Sequence, residues 1–524
     1  STLGRYWHTL RWLRPVQFYG RAWFRFYRPR PDLRPAPMPA PAPATPWQRC
    51  ARAPSMTGPA SFRFLSVEHQ LLEASDWNHA EWPKLWLYNA HYFDDLVADG
   101  AATRVDWHRA MITRWIAENP PGQGNGWEPY PASLRIVNWL KWLLAGNDPV
   151  PGMLDSLAAQ ARWLRGRLEH HLLGNHLWAN AKALVFAGAC FQGDEARLWL
   201  RHGLRLMQRE LREQVLADGG HFERSPMYHA ILTEDLLDLA QLAGTTASIP
   251  PEVRQRWRET ALRMLDWAGV MAHPDGDVAF FNDAALGIGL DLPALCAYAS
   301  AIGQILPALP GSGARLLSAS GYARLATGPA VLLADVGPIG PDYLPGHAHA
   351  DTLGFELSLH GQRVLVNGGT STYENDAERL RQRGTAAHNT VVVDGHDSSE
   401  VWSAFRVARR ARVHDVACAT DAAVLRLRAS HNGYRRLPGR VTHARAWCLD
   451  GSGLEVTDTL DGRFDTAEAR FHFAPDMMLE HDVEGGTCRL EAGTWHPRFG
   501  ESVPIQVLVV RFLQARCRVK FRWS

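Results

Sequence analysis

Three short clusters of polar residues adjoin apolar, periodic segments of this 524-residue chain. They contain Asn175 with His176, Tyr228 with His229, and His347 with His349. Imidazole is a suitable general base near neutral pH, and a phenol can act as a general acid. The clusters are therefore candidates for proton-transfer chemistry.

Each cluster also has a structural interpretation. Asn175 is a good residue for a helix N-cap, and Ser225-Pro226 has the pattern of an N-cap followed by proline at the first helical position. His347 and His349 would be ordinary polar residues on an exposed loop. A single cluster therefore does not indicate a function, and only the clusters together do.

The sequence switches from helical to strand periodicity, and this change predicts which elements carry the clusters. From about residue 68 to 305, apolar residues recur at helical spacing, with short Gly-, Pro- or Asp-rich breaks. After about residue 316 they alternate, as in an antiparallel sandwich. We predict an all-α domain over residues 61–315, an all-β domain over 316–524, and a cleft at their seam.

Two segments precede these domains. Residues 1–28 mix arginine with aromatic residues, so they form either a basic amphipathic helix on a membrane surface or, the favoured interpretation, a segment packed onto its own domain. Residues 29–60 begin with a Pro/Ala-rich stretch that predicts an extended connector.

Composition excludes several classes of protein. The 56 basic and 54 acidic residues give a net charge of +2, which argues against nucleic-acid binding driven by bulk charge. The seven cysteines are scattered without a C-x-x-C pair, so neither a disulfide framework nor a cysteine zinc site is expected. No apolar run is long enough for an integral membrane span. No signal-peptide pattern is visible; we favour a periplasmic or secreted location and leave a cytoplasmic one open.

Several motifs in the same order resemble those of the heparinase II/III-like polysaccharide lyases. The resemblance extends from about Leu85 to about Arg445 and rests on Asn175-His176, Ala179-Asn180-Ala181-Lys182-Ala183, Phe222–His229, His347-Ala348-His349-Ala350-Asp351, Asn367-Gly368-Gly369-Thr370 and Ala387-His388-Asn389-Thr390. It implies an incomplete (α/α) toroid followed by an antiparallel β-sandwich, in agreement with the periodicity.

The family resemblance also implies a reaction, the β-elimination of a uronic-acid-containing glycan. Asn175 would neutralise the carboxylate, and Tyr228 would be the acid and also the base for one substrate stereochemistry. His347 would be the base for the other stereochemistry, on the opposite side of the sugar ring. Tyr228 would need a lowered pKa, for which His176, Arg224 and His229 are candidate neighbours.

Further residues are expected to line the cleft or to hold a metal. The candidates for substrate binding are Asn89, His91, Trp127, Glu128, Tyr130, Arg135, His176, Glu223, Arg224, His229, Arg383 and Tyr434. By resemblance, a structural divalent ion, commonly zinc, would be held by His349, Asn367 and His388. Asn367 stands where the family commonly has Asp, and an amide is a poorer zinc ligand, so occupancy stays open.

Two other functions stay open. A glycoside hydrolase would need a carboxyl pair such as Asp218 with Glu223 or Glu128 with Glu223. A non-catalytic glycan-binding or assembly protein would have retained the cleft without turnover. For a lyase, we expect an acidic polysaccharide as the partner, with a bacterial exopolysaccharide or cell-surface glycan favoured; endo or exo action and oligomeric state are left open.

Overall fold

A computed structural model describes residues 2–421 and 423–523. Within these residues a helical half is followed by a half built of antiparallel strands, in the order that the periodicity predicts. No helix in this part of the chain combines the length and apolar character needed to cross a membrane.

Antiparallel helix pairs form most of the first half. The helices are α1 (Thr2–Leu10), α2 (Pro15–Phe26), α3 (Lys84–Tyr92), α4 (Val105–Glu118), α5 (Pro129–Leu144), α6 (Met153–Gly166), α7 (Gly174–Cys190), α8 (Asp194–Gln214), α9 (Pro226–Thr245), α10 (Pro251–Met271) and α11 (Leu292–Ala301). α7 packs on α8 and α9 on α10. The α7–α8 contact is close at Gly188, where a Cβ would lie 2.3 Å from the backbone nitrogen of Leu200.

Tryptophan contributes mainly to the core. The fully buried tryptophans are Trp77, Trp86, Trp115, Trp139, Trp142, Trp178, Trp199, Trp257, Trp267 and Trp447. Most of them join one apolar cluster of the helical half. Because a buried indole cannot stack on a sugar, these residues stabilise the fold rather than line a ligand surface.

A small sheet precedes α3, and the second half contains the remaining strands. The strands are β1 (Met56–Gly58), β2 (Ser61–Phe64), β3 (Val67–Gln70), β4 (Gly313–Leu317), β5 (Tyr322–Thr327), β6 (Ala330–Asp335), β7 (Phe355–Leu359), β8 (Gln362–Leu365), β9 (Val391–Val393), β10 (Val401–Trp402), β11 (Arg406–Val407), β12 (Val413–Asp421), β13 (Val424–His431), β14 (Thr442–Leu449), β15 (Gly453–Asp461), β16 (Ala467–His472), β17 (Glu480–Glu484), β18 (Gly486–Trp495), β19 (Val503–Phe512) and β20 (Arg516–Arg522). One helix, α12 (Ala377–Arg383), lies between β8 and β9.

Three antiparallel sheets share the second apolar core. Their strand orders are β4-β5-β6-β7-β8, β12-β13-β14-β15-β20-β17 and β18-β19-β16-β9. Side chains such as Phe355, Phe471 and Trp447 bring the three sheets into one cluster. β14 alternates buried and partly exposed residues, as expected for a strand with one face on the core.

Strand β7 connects the sandwich to the helical half. All five of its residues are buried. Phe355 and Leu357 pack in the β core. On the other face, His273, which follows α10, forms hydrogen bonds with the Glu356 carboxyl group at 2.9 Å and the Ser358 hydroxyl at 2.7 Å. These buried contacts fix the seam at which the polar clusters meet.

The N-terminal helices contact both halves of the molecule. In α2, the Gln17 amide donates to the carbonyl of Tyr343 at 3.0 Å, and the ring of Phe24 lies 4.3 Å from that of His171. Trp402 in β10 donates to the hydroxyl of Thr9 in α1 at 3.1 Å. Residues 27–55 contain no helix or extended strand, whereas the last part of the predicted connector, 29–60, includes β1.

Candidate functional site

The seam brings together the three residues that the sequence singled out for chemistry. Asn175 lies in the first turn of α7, Tyr228 in the first turn of α9, and His347 in the loop between β6 and β7. The rings of Tyr228 and His347 are in contact, with centroids 4.0 Å apart. Glu223 joins the set, because Oε1 accepts from the Asn175 backbone N–H at 3.2 Å and Oε2 lies 3.4 Å from Nε2 of His347.

The start of α7 leaves the Asn175 side chain free. The residue before the helix is Leu173, so Asn175 is not the N-cap. Its carboxamide forms no hydrogen bond with the described residues. Gly174, at φ 53°, lies against Glu223: a Cβ there would come within 2.5 Å of the carboxyl oxygen. This turn therefore places an uncommitted amide beside a buried carboxyl group.

Tyr228 is positioned by the helix cap that the sequence predicts. Ser225 is the N-cap of α9, its hydroxyl accepts from the Tyr228 backbone N–H at 3.2 Å, and Pro226 occupies the first turn. The Tyr228 hydroxyl lies 3.1 Å from that of Tyr373. Burial, and next the neighbouring Tyr373 hydroxyl, hold the pKa of Tyr228 well above its usual value. The phenol is therefore protonated, contrary to the lowered pKa expected from neighbouring cations.

The buried carboxylate of Asp283 orients His347. Its Oδ2 lies 2.9 Å from Nδ1 of His347, and Arg379 donates to both oxygens, with Nη2 at 2.8 Å. Burial alone would raise the pKa of Asp283, but Arg379 and the histidine hydrogen bonds hold it well below its usual range. An anionic Asp283 accepts a hydrogen bond from the Nδ1–H of His347, which leaves the lone pair of the neutral imidazole on Nε2, as a base requires.

Glu223 is inside the protein and close to the same imidazole. Burial raises the pKa of Glu223, although His347 and the Asn175 N–H partly offset this effect. The neutral carboxylic acid can donate a hydrogen bond, as an amide can. Glu223 and Asn175 thus lie side by side next to Tyr228 and His347, and burial favours the neutral form of the Glu223 carboxyl group.

A polar surface on the helical side continues from this centre. Nδ1 of His176 lies 3.1 Å from Oε1 of Glu169, and the His176 ring is 4.6 Å from that of the half-buried Tyr130. Burial would lower the pKa of His176, but the Glu169 carboxylate outweighs it and the net shift is upward. Glu128, which pairs with Lys84 at 2.9 Å, and Asn89 are half-buried.

Five residues that we expected at the substrate surface are instead in the cores. They are His91, Trp127, Arg135, His229 and Tyr434. The Arg135 guanidinium donates a hydrogen bond to the carbonyl of Gly126 at 2.7 Å, and the Trp127 indole donates one to the carbonyl of Asn119. His229 and Tyr434 likewise use their polar atoms on backbone carbonyls. The polar atoms of these residues form hydrogen bonds within the protein. Residue spacing in the sequence does not distinguish this structural role from ligand binding.

Two arginines expected in the cleft hold loops. Nε of Arg224 donates to the carbonyl of Ser320 at 2.8 Å, and Arg383 donates twice to the carbonyl of Ala348 at 2.9 and 3.1 Å. Arg383 therefore fixes the loop that carries His347. The Arg224 guanidinium is directed at the Ser320 carbonyl, while burial and Tyr373 hold the pKa of Tyr228 above its usual value.

Asp283, Tyr373 and Arg379 are parts of the site that the sequence analysis missed. Arg379 also lies 4.9 Å from the ring centroid of Tyr373, so the three residues form one buried group. The signal for Asp283 was the pair Asn282-Asp283 directly after the apolar run 278–281. Such a pair is common in turns and does not by itself point to chemistry.

The three predicted metal ligands, His349, Asn367 and His388, lie in the same buried region of the β half. The rings of His349 and His388 are 5.2 Å apart, and Nδ1 of His349, both His388 nitrogens and the Asn367 amide nitrogen lack hydrogen-bond partners among the described residues. Nε2 of His349 lies 2.8 Å from Asp283, an arrangement that orients metal-binding imidazoles. In the same part of the chain, no group of three His, Cys, Asp or Glu residues is placed to hold a metal. A metal would therefore need the Asn367 amide oxygen, which accepts the Asn389 N–H at 3.3 Å.

A polar cavity of about 500 Å³ lies beside Tyr373. Its lining includes Ser371, Thr372, Arg381 and His496. Arg381 is about half-exposed and pairs with Glu378 at 2.6 Å. The cavity is a polar surface on the β half.

Comparison with known families identifies two matching regions. Residues 109–289 match the heparinase II/III N-terminus, and residues 309–524 match the heparinase II/III-like C-terminal region. A heparin-sulfate lyase from Bacteroides stercoris is 26% identical over 255 residues, which is 44% of this chain and 37% of that protein. FtsZ-localized protein C from Caulobacter vibrioides is 28% identical over 438 residues, 75% of this chain and 70% of that protein.

The chain spans less than half the length of the heparin-sulfate lyases that it matches from Bacteroides stercoris and Pedobacter heparinus, 37% and 47% respectively. Among solved structures, that of heparinase III superimposes with a TM-score of 0.64 at 17% identity, covering 84% of this chain and 76% of the other. This likeness confirms the predicted fold class, an incomplete (α/α) toroid followed by an antiparallel β-sandwich.

Proposed function

Because the chain belongs to the heparinase II/III-like family, we propose that it is a polysaccharide lyase that cleaves a uronic-acid-containing glycan by β-elimination. The observation that carries the proposal is the contact between Tyr228 and His347 beside the uncommitted amide of Asn175. Three separate segments supply these residues, two from the helical half and one from the β half.

Negative charge develops on the uronate carboxyl group when the C5 proton is removed. Asn175 and the neutral form of Glu223 would donate hydrogen bonds to that group and stabilise the enolate-like species. Glu223 fits this role because burial raises its pKa. A permanently charged carboxylate at the same position would repel the substrate.

Proton transfer is divided between His347 and Tyr228. Nε2 of His347 would take the C5 proton, and Asp283 would stabilise the imidazolium through Nδ1. Tyr228, which burial keeps protonated, would give its proton to the departing glycosidic oxygen. Ring centroids 4.0 Å apart leave no space for a sugar between them, so both groups would act from the same side unless they separate. This contact differs from the opposed arrangement expected from the resemblance.

A divalent metal is part of the proposal. The free nitrogens of His349 and His388, with the Asn367 amide oxygen, would hold it, and zinc is favoured by two imidazoles. Burial lowers the pKa of His349 to about 4 and that of His388 well below its usual value, so both are neutral, as metal binding requires. A bound ion would supply structural cross-linking of the β-half loops near His347.

The charges around the site favour a uronate polymer without dense sulfation. Arg379 is buried against Asp283, and Lys84 is paired with Glu128, so both cations are already matched by carboxylates. A heavily sulfated chain would require additional unpaired cations. We therefore favour a bacterial exopolysaccharide or cell-surface glycan, degraded in the periplasm or outside the cell.

A non-catalytic role in cell-surface assembly is the second candidate. The relative FtsZ-localized protein C matches 75% of this chain, and its name describes a location rather than a reaction. A hydrolase is less favoured, since Asp218 accepts hydrogen bonds from the Ser320 backbone and hydroxyl at 2.7 and 2.9 Å instead of pairing with Glu223.

A screen of uronate polysaccharides tests the reaction class. Elimination leaves a C4–C5 double bond conjugated to the carboxylate, which absorbs in the ultraviolet, whereas hydrolysis yields new reducing ends without this absorbance. A lyase gives both signals in equal amounts. Absence of turnover on every polymer, together with measurable polymer binding, would favour the non-catalytic role.

A further inference from the structure

The N-terminal helix pair is strongly basic in an otherwise balanced chain. Seven arginines precede the first acidic residue, Asp32, whereas the whole protein has a net charge of +2. The arginines alternate with tryptophan, tyrosine and phenylalanine. This composition is concentrated in α1 and α2.

Specific inward contacts hold these helices in place. The Arg14 guanidinium lies 3.6 Å from the ring centroid of Tyr343 and pairs with Glu213. The amide of Gln17 and the ring of Phe24 also face the body of the protein. Because these contacts fix the orientation of α2, its outward face is a defined surface.

That outward face is apolar. In α1, Leu3, Trp7 and Leu10 are exposed at the spacing of one helical stripe, and in α2 the stripe contains Tyr19, Trp23 and Phe26. The exposed fractions are 84% for Leu3, 65% for Trp7, 64% for Tyr19, 63% for Trp23 and 82% for Phe26. Exposed aromatic and aliphatic stripes of this extent are unfavourable in water and mark an interaction surface.

Unpaired cations accompany the apolar stripe. The exposed side chains of Arg25, Arg28 and Arg30 form no hydrogen bond or ion pair with the described residues. Arginine can place its alkyl part along apolar surface while its charge reaches a phosphate, and tryptophan and tyrosine favour the headgroup region of bilayers. Charge and chemistry thus match an anionic lipid surface.

We infer that the outward face of α1 and α2 docks this protein onto a bilayer that carries anionic lipids. The helices have 9 and 12 residues, too few to cross the hydrocarbon core, so they lie in the headgroup region. An acidic glycan would also match the arginines, but the exposed apolar side chains of Leu3 and Phe26 suit lipid better than sugar. The inference does not depend on lyase activity.

Sedimentation of the full chain with vesicles tests this docking. We expect binding to vesicles of phosphatidylglycerol and phosphatidylcholine that weakens with salt, and little binding to phosphatidylcholine alone. Arg25→Gln with Arg28→Gln should reduce partitioning roughly 25-fold, since each arginine contributes about fivefold. Trp7→Ala with Trp23→Ala should reduce it by about tenfold or more.

Matched variants on the β half serve as controls. Leu513 is 69% exposed and Arg428 is exposed, so Leu513→Ala and Arg428→Gln remove similar groups elsewhere on the surface. They should leave vesicle binding unchanged, and all variants should keep the wild-type melting temperature. The arginine pair keeps the test valid if the tryptophan variant folds poorly.

Three results would overturn the inference. The first is wild-type protein that does not sediment with anionic vesicles, and the second is helix variants that bind vesicles as well as the wild type. The third is loss of alginate binding, with vesicle binding intact, in the same variants, which would make this face a glycan site.

Discussion

Nδ1 of His347 lies 2.9 Å from Oδ2 of Asp283, and this hydrogen bond joins the two halves of the protein. Asp283 follows the last long helix pair, whereas His347 belongs to the β half. Arg379 from α12 donates to the same carboxylate, with Nη2 at 2.8 Å. One buried anion therefore sets the imidazole tautomer and ties the loops of the seam together.

Replacing Asp283 should affect both stability and turnover. Asp283→Asn leaves Arg379 buried without its counter-charge, which typically lowers the free energy of unfolding by about 3 kcal/mol or more. The imidazole also loses its anionic partner, so kcat should fall more than binding. Urea unfolding and initial rates measure the two effects.

Asp266→Asn is the control, because it breaks a half-exposed ion pair with Arg315. It should lower the free energy of unfolding by less than about 1 kcal/mol. Equal losses in both variants would contradict the account.

Glu223→Gln should stabilise the protein at neutral pH. Burial raises the pKa of Glu223 above its ordinary 4.5, so the folded state keeps a proton that the unfolded state releases. Stability then falls as pH rises from about 4.5 through the folded pKa, and glutamine avoids this loss. The melting-temperature difference between variant and wild type should be positive at neutral pH and vanish below about pH 4.5.

Glu356 provides a control of opposite sign for that measurement. Burial would raise the pKa of Glu356, but the hydrogen bond to His273 outweighs it and lowers the pKa. Its stabilisation is present above the unfolded pKa and is lost as pH falls through the folded pKa. Glu356→Gln should therefore destabilise at neutral pH. A Glu223→Gln variant that melts below the wild type at neutral pH would contradict the assignment of a neutral carboxyl group.

Periodicity predicted the fold because burial on one face leaves a regular signature. The helical spacing before residue 305 and the alternation after 316 match α3 to α11 and β4 to β20. The cap at Ser225 was predictable for the same reason, since it depends on neighbouring residues alone. The cleft itself depends on contacts across the seam.

Residue type alone did not separate cleft from core. His91 and His176 are both histidines beside aromatic residues. The His91 nitrogens contact the Trp77 carbonyl and the Trp115 indole inside the core, whereas the His176 side chain is about one third exposed and pairs with Glu169. Asp283 had no local motif, and its role arises from Arg379, 96 positions away. Such long-range pairing is invisible to spacing rules.

Removing the proposed metal should change stability more than rate. Chelation should lower the melting temperature by roughly 2 to 5 °C, because an ion bound only to the folded state stabilises it. His388→Ala should abolish this shift in melting temperature. Elemental analysis of the variant should then find no bound metal. His481→Ala, which removes a half-buried histidine in β17, is the control. Purified protein without divalent metal, and no shift on chelation, would contradict the proposal.

Substrates that differ only in their configuration at C5 test whether the enzyme uses one base for both epimers or a different base for each. Asn175→Ala should slow elimination from both epimers by about 2 to 4 kcal/mol in activation free energy, since each has a carboxylate. Because Tyr228 is protonated, His347→Ala should also damage both epimers. Retention of activity on one epimer after His347→Ala would show that Tyr228 acts as the base there.

Formation of the unsaturated uronate by wild type and Tyr228→Phe tests the central claim most directly. The substitution removes only the hydroxyl that lies 3.1 Å from Tyr373, so folding and polymer binding should persist. Tyr434→Phe, which removes a buried tyrosine hydroxyl in the β core, is the matched control and should retain turnover. We predict that ultraviolet absorbance rises with wild type on an accepted uronate polymer and that Tyr228→Phe reduces this rate at least about 100-fold. A near-normal rate in Tyr228→Phe would contradict the proposed acid.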